Sequence, residues 1–187
     1  MDYRRITYGF IHADTPHLLA NIGGQLIFSL LICLDIKESS WIRLIKAFLV
    51  YIFSVGGGSV AFDFVPNKET CGLVGASAGV FGLCGMCVVE GFACIISILS
   101  NKPFASDLKE YNQKLWEIVL GGVKLFLALI LVGIDLYYNL PTYSHLDSKD
   151  TKTTMDTLYV HLGGLLTGMV LISLIEIINC IFHRKKL

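Results

Sequence analysis

The sequence predicts an all-α, polytopic transmembrane bundle, on three observations. Hydrophobic residues make up 54% of the 187 and charged residues only 16%, where a soluble domain of this size carries about 25% charged residues. The apolar residues gather into long runs, and a hydrocarbon core about 30 Å thick needs roughly 20 of them in a helix. Strand-like alternation is absent, so the backbone groups of these runs must pair within helices. Residues 1–187 then form a single membrane domain with no room for a sizeable soluble one. The formal net charge of zero gives no reason to expect a nucleic-acid partner.

Five spans are expected, at Leu18–Leu34, Trp41–Phe62, Gly72–Leu99, Trp116–Leu140 and Thr157–Phe182. The first is short and carries Asn21 and Gln25. The third is rich in glycine and alanine. The fourth contains Lys124 and the fifth His161. Polar connectors separate them, at Asp35–Ser40, Asp63–Cys71 with Pro66, Asn101–Gln113, and Pro141–Asp156, the longest non-helical candidate. Lys37, Arg43, Lys46, Lys102, Lys109, Lys114, Arg184, Lys185 and Lys186 fall on one side, against Arg4, Arg5, Lys68, Lys149 and Lys152 on the other. Basic residues accumulate on the cytosolic side, so the C-terminus is expected to be cytosolic. The charged start Met1-Asp2-Tyr3-Arg4-Arg5 does not read as a signal peptide. Of the six cysteines, Cys33, Cys71, Cys84, Cys87, Cys94 and Cys180, most fall in apolar runs, where cysteine behaves as a small hydrophobe. The Cys84/Cys87 spacing lacks the second pair that a structural metal site needs.

The segment Gly75-Ala76-Ser77-Ala78-Gly79 has the form G-x-S-x-G. In an α/β-hydrolase that elbow joins a strand to a helix; here it opens an apolar helix, which excludes that fold. Taken alone, the small residues equally suit a helix-packing face. His161 shifts the balance, because an ionisable residue inside a membrane span is a functional-site hypothesis by default. Gly164 and Gly168 follow it on one helical face. Ser77 and His161 both lie early in spans that run in the same direction, so they should share a depth. A serine nucleophile needs a base within hydrogen-bond reach, and histidine is the usual one. His17 and Asn21, four residues apart, share a helix face at the same outer end, and donors of this kind can hold an oxyanion. The bland alternative makes them a helix-start pair near the headgroups.

Together these blocks resemble the rhomboid family. The resemblance rests on Tyr8-Gly9-Phe10-Ile11-His12-Ala13-Asp14, His17-Leu18-Leu19-Ala20-Asn21, Gly75-Ala76-Ser77-Ala78-Gly79-Val80-Phe81-Gly82-Leu83 and His161-Leu162-Gly163-Gly164-Leu165-Leu166-Thr167-Gly168. It implies a rhomboid-like bundle with a cavity open to the outer side and catalysis by Ser77 and His161, a dyad without an acidic third member. It also implies oxyanion positions at His17 and Asn21, and close helix packing around Gly75, Gly79, Phe81, Gly164 and Gly168. The chain departs from the family pattern in four places. Five spans are visible where the family core has six. Tyr3-Arg4 stands for a frequent Trp-Arg pair, and Ser29 and Cys33 for a usual Gly and Glu. Phe81 stands for a frequent Tyr, keeping the ring and losing the hydroxyl.

The expected function is that of an intramembrane serine endopeptidase. Its partners are the lipid bilayer and single-pass transmembrane protein substrates, and no metal or other cofactor is needed. The alternative is a catalytically inactive rhomboid-like protein that binds membrane clients and controls their traffic or degradation. One ion pair is expected independently of the family motifs. Glu90 and Lys124 should lie at similar depth in neighbouring antiparallel spans, with Glu176 as the competing partner of Lys124.

Overall fold

A computed structural model describes residues 15–35, 38–65, 76–100, 108–139 and 150–184, and these residues are helical with short turns and no strand. The helices are α1 (Thr15–Cys33), α2 (Ser40–Phe62), α3 (Ser77–Ser100), α4 (Leu108–Asn139) and α5 (Asp150–Arg184). All five are long and apolar enough to cross a membrane. Large apolar side chains such as Leu26, Phe48, Phe126 and Leu166 are exposed around the outside, which suits a lipid solvent rather than water.

α3 is the central helix. Its apolar window is 61% buried, against 39% or less in every other span, and it packs against each of the other four helices. Association in lipid gains little from the hydrophobic effect and depends on close van der Waals packing, which small residues permit. The glycines of α3 serve this in several directions. A Cβ at Gly82 would strike Ser54 of α2, one at Gly85 the Leu165 carbonyl of α5, and one at Gly91 Leu125 of α4. On the α1 side the roles reverse, with Val80 of α3 seated against Gly24.

The same contacts set the helix directions. Gly164 meets Ala78 and Gly168 meets Gly82, so α3 and α5 run parallel, each presenting a small residue every four positions. α2 runs antiparallel to α5, with Gly57 against Thr167 and Ala61 against Gly163. α4 runs antiparallel to α3, with Cys84 donating to the Ala128 carbonyl at 3.7 Å and Cys94 lying against Gly121.

Two helices extend beyond what hydropathy marks. α4 begins at Leu108 and α5 at Asp150, inside stretches expected to be connectors. A hydropathy pattern reads only the lipid-facing part of a helix. The start of α4 contains Glu110 and Lys114, paired at 2.9 Å one turn apart, and such pairs stabilise a helix in water.

At the end of the bundle where α2 begins, charges from α2, α3, α4, α5 and the turn after α1 interlock. Arg43 reaches Asp35 at 3.0 Å and Glu90 at 3.3 Å and donates to the Ile32 carbonyl at 3.1 Å. Lys124 pairs with Glu90 and lies 3.6 Å from Asp35. The Glu90–Lys124 pair expected from depth therefore forms. Glu176 does not compete for Lys124; it binds Lys46 at 2.8 Å, together with Glu38 at 2.7 Å. α5 lies beside α2 and α3 and only sparingly beside α4, which puts Glu176 nearer the lysine of α2.

Candidate functional site

The helix register gathers the polar residues of the opposite end at one level. Ser77 is the first residue of α3. Its neighbour Ala78 meets Gly164 of α5, and His161 lies three residues before that glycine, about one turn toward the same end. Phe81, one turn beyond Ser77, stacks on the His161 ring with centroids 4.2 Å apart and planes 11° apart. A helical side chain leans toward its own N-terminus, so the Phe81 ring covers the turn that Ser77 opens.

α1 enters at the same level. Gly24 meets Val80, and Asn21 precedes Gly24 by the three residues that separate Ser77 from Val80. Asn21 is buried, and its side-chain nitrogen has no hydrogen-bond partner among the described residues. A buried donor left unpaired costs free energy and calls for an explanation. His17, one turn nearer the helix start, is half-buried.

α4 supplies a residue that the sequence motifs did not. Asp135 lies seven residues beyond Ala128, and Ala128 faces Cys84, itself seven residues beyond Ser77. In antiparallel helices this returns Asp135 to the level of Ser77. Its Oδ1 lies 2.6 Å from Nδ1 of His161, and both side chains are buried. An ionised carboxylate only accepts hydrogen bonds, so this contact suits a ring that carries its proton on Nδ1 and leaves Nε2 bare. No acidic residue beside the histidine was expected. The signal that could have found it is an aspartate inside an apolar span, since such residues are functional hypotheses by default.

Among the described residues, no hydrogen bond joins Ser77 to His161. Of the residues named for close packing, Gly79 lies against the Tyr51 ring, Gly164 against Ala78 and Gly168 against Gly82. Gly75 lies outside the described residues, as does the Tyr8–Asp14 block.

A polytopic helical bundle with a serine, a histidine, a carboxylate and a spare amide donor at one level defines a membrane protein with a polar site buried near one face. A family model, the rhomboid domain, matches residues 2–176, and the chain belongs to the rhomboid family. Among curated proteins it is similar to Rhomboid-related protein 1 of Caenorhabditis elegans, 24% identical over 184 residues. That match covers 97% of this chain and 42% of the relative, so the chain spans less than half of that protein's length. No solved structure matches the chain significantly.

Proposed function

We propose that this rhomboid-family protein is an intramembrane serine endopeptidase that cleaves single-pass membrane proteins in or beside their transmembrane helix. His161 takes the proton of Ser77 Oγ at Nε2 while Oγ attacks the scissile carbonyl carbon. The carbonyl oxygen, now an oxyanion, is held by Asn21, His17 and the backbone at Ser77. Protonated His161 then gives its proton to the leaving amine, and water hydrolyses the acyl-enzyme by the same route in reverse roles. The observation that carries this reading is the buried Asn21 amide, which has no hydrogen-bond partner among the described residues and lies at the level of Ser77 and His161. A donor kept free in the resting state is what a developing oxyanion requires.

The distribution of basic residues supports a cytosolic C-terminus, with the charged layer toward the cytosol and the site toward the opposite face. The rival reading, an inactive rhomboid-like protein that binds membrane clients, draws on the missing Ser77–His161 hydrogen bond. Catalytic hydrogen bonds are often long in substrate-free structures and tighten only when substrate binds, so the missing bond does not count against the enzyme.

A fluorophosphonate probe and a reconstituted single-pass substrate separate the two readings. Labelling and cleavage should both vanish in Ser77→Ala, with unfolding and membrane insertion unchanged. Cleavage that survives Ser77→Ala would show that the nucleophile is misassigned.

A further inference from the structure

We propose that Asp135 is a positioning residue for this site, holding the imidazole of His161 in one tautomer and one orientation from across the α4–α5 interface. This rests on the serine-protease reading above and deepens it, since the family resemblance implies a dyad with no acidic member.

Two contacts fix the ring independently. Asp135 Oδ1 engages its Nδ1 edge at 2.6 Å, and Phe81 covers one face at 4.2 Å. The edge contact selects the protonated nitrogen; the face contact sets the plane. Together they leave Nε2 as the free lone pair, the atom that must take the Ser77 proton. When Nε2 is protonated the ring becomes a cation, and the carboxylate already in contact stabilises that charge. Asp135 accepts a hydrogen bond throughout and need not take the proton.

The location argues for more than filling space. A carboxylate in a membrane span is expensive, and Asp135 is 9% exposed. α4 and α5 otherwise share only a limited contact, so the pair contributes little to an extensive packed interface. By contrast, α4 is anchored to α3 through Gly91, Gly121 and Leu125 and through the Lys124–Glu90 pair.

The test uses the full chain in proteoliposomes. Asp135→Asn preserves size and one hydrogen-bonding oxygen but removes the charge that selects the tautomer. It should lower kcat about 10²–10⁴-fold with KM little changed, since loss of the equivalent charge elsewhere costs about 10⁴. Asp135→Glu keeps the charge and should restore part of that loss. A purely structural role would instead lower the unfolding midpoint and leave the kcat of the folded fraction intact. Wild-type kcat in a folded Asp135→Asn protein overturns the proposal.

A second measurement needs neither activity nor an Asp135 variant. In Ser77→Ala protein, ¹⁵N NMR of His161 should find Nδ1 protonated and Nε2 bare; the opposite tautomer overturns the proposal. Absence of wild-type cleavage and labelling would instead defeat the protease reading, with the NMR result still deciding whether Asp135 sets the tautomer.

Discussion

Ser77 and Glu90 lie on the same central helix, thirteen residues apart, or about 20 Å along its axis, in surroundings that differ in kind. Around Glu90, Asp35 alternates with the cations Arg43 and Lys124, while Lys46 gathers Glu38 and Glu176 beside them. These contacts join the start of α2 to α3, α4, α5 and the turn after α1. Around Ser77 the described residues hold one tight polar pair, His161 with Asp135, and an amide donor that finds no partner among them. A buried charge that lacks a partner is costly, so the first layer is cross-linked and serves stability. Each layer keeps buried polar atoms without a hydrogen bond among the described residues, Arg43 Nε and Glu38 Oε2 in the first and Asn21 Nδ2 in the second. Arg43 and Glu38 are already held by ion pairs, whereas the Asn21 amide is a neutral donor at the level of a serine and a histidine, where chemistry could use it. Natural proteins break the rule of polar satisfaction mainly at functional sites.

The largest expected effect that tests this contrast is at Lys124, whose side chain is 2% exposed. Lys124→Met leaves Asp35 and Glu90 to share Arg43 and should destabilise the bundle by about 3–5 kcal/mol, the usual cost of breaking a buried pair. Glu90→Gln should also destabilise it. The double variant should be more stable than the sum of the singles predicts, by a coupling of about 0.5–3 kcal/mol. Unfolding in detergent reads both quantities, while kcat per folded molecule should not change. Strict additivity, or a fall in kcat without loss of stability, would erase the distinction between the layers.

Next in size is Asn21→Ala. Removal of one oxyanion donor costs about 10²–10³ in rate, and here no hydrogen bond of the resting side-chain nitrogen is lost. The variant should therefore unfold at or above the wild-type midpoint while kcat collapses. Destabilisation with normal kcat would move Asn21 from the site into the structural framework.

The two layers were unequally legible in the sequence. Spans show because lipid demands long apolar runs, and the Glu90–Lys124 pair follows from depth alone, since two charges inside adjacent spans have few other escapes. The G-x-S-x-G segment and His161 are visible because serine and histidine are chemically conspicuous at those places. The starts of α4 and α5 were hidden because hydropathy is silent about helix outside the membrane. Asp135 was hidden for a different reason. It is brought to the site by a register two turns beyond the Cys84–Ala128 contact, and the rotation of α4 about its axis is set by tertiary packing. The choice of Lys46 over Lys124 as the partner of Glu176 likewise depends on which helices touch, and sequence order suggests the wrong neighbour.

The smallest effect concerns a bond between the layers. Gln25 Nε2 donates to the Tyr51 hydroxyl at 2.7 Å, joining α1 to α2. Gln25 follows Asn21 by one turn on the same face of α1, and the Tyr51 ring lies against Gly79, two residues beyond Ser77. The bond therefore sits where a change of stability and a change of activity are both conceivable. Tyr51→Phe keeps the ring and removes only the hydroxyl, so the contact with Gly79 survives. A hydrogen bond of this kind contributes about 0.5–1.5 kcal/mol net, and the loss of stability should fall in that range. The position of Asn21 is already fixed by the Gly24–Val80 contact, which Tyr51→Phe leaves untouched. Hence kcat should stay near wild type, far above that of Asn21→Ala. A variant with unchanged stability but a kcat reduced toward the Asn21→Ala value would extend the functional layer one turn deeper, with Gln25 holding α1 in its catalytic orientation.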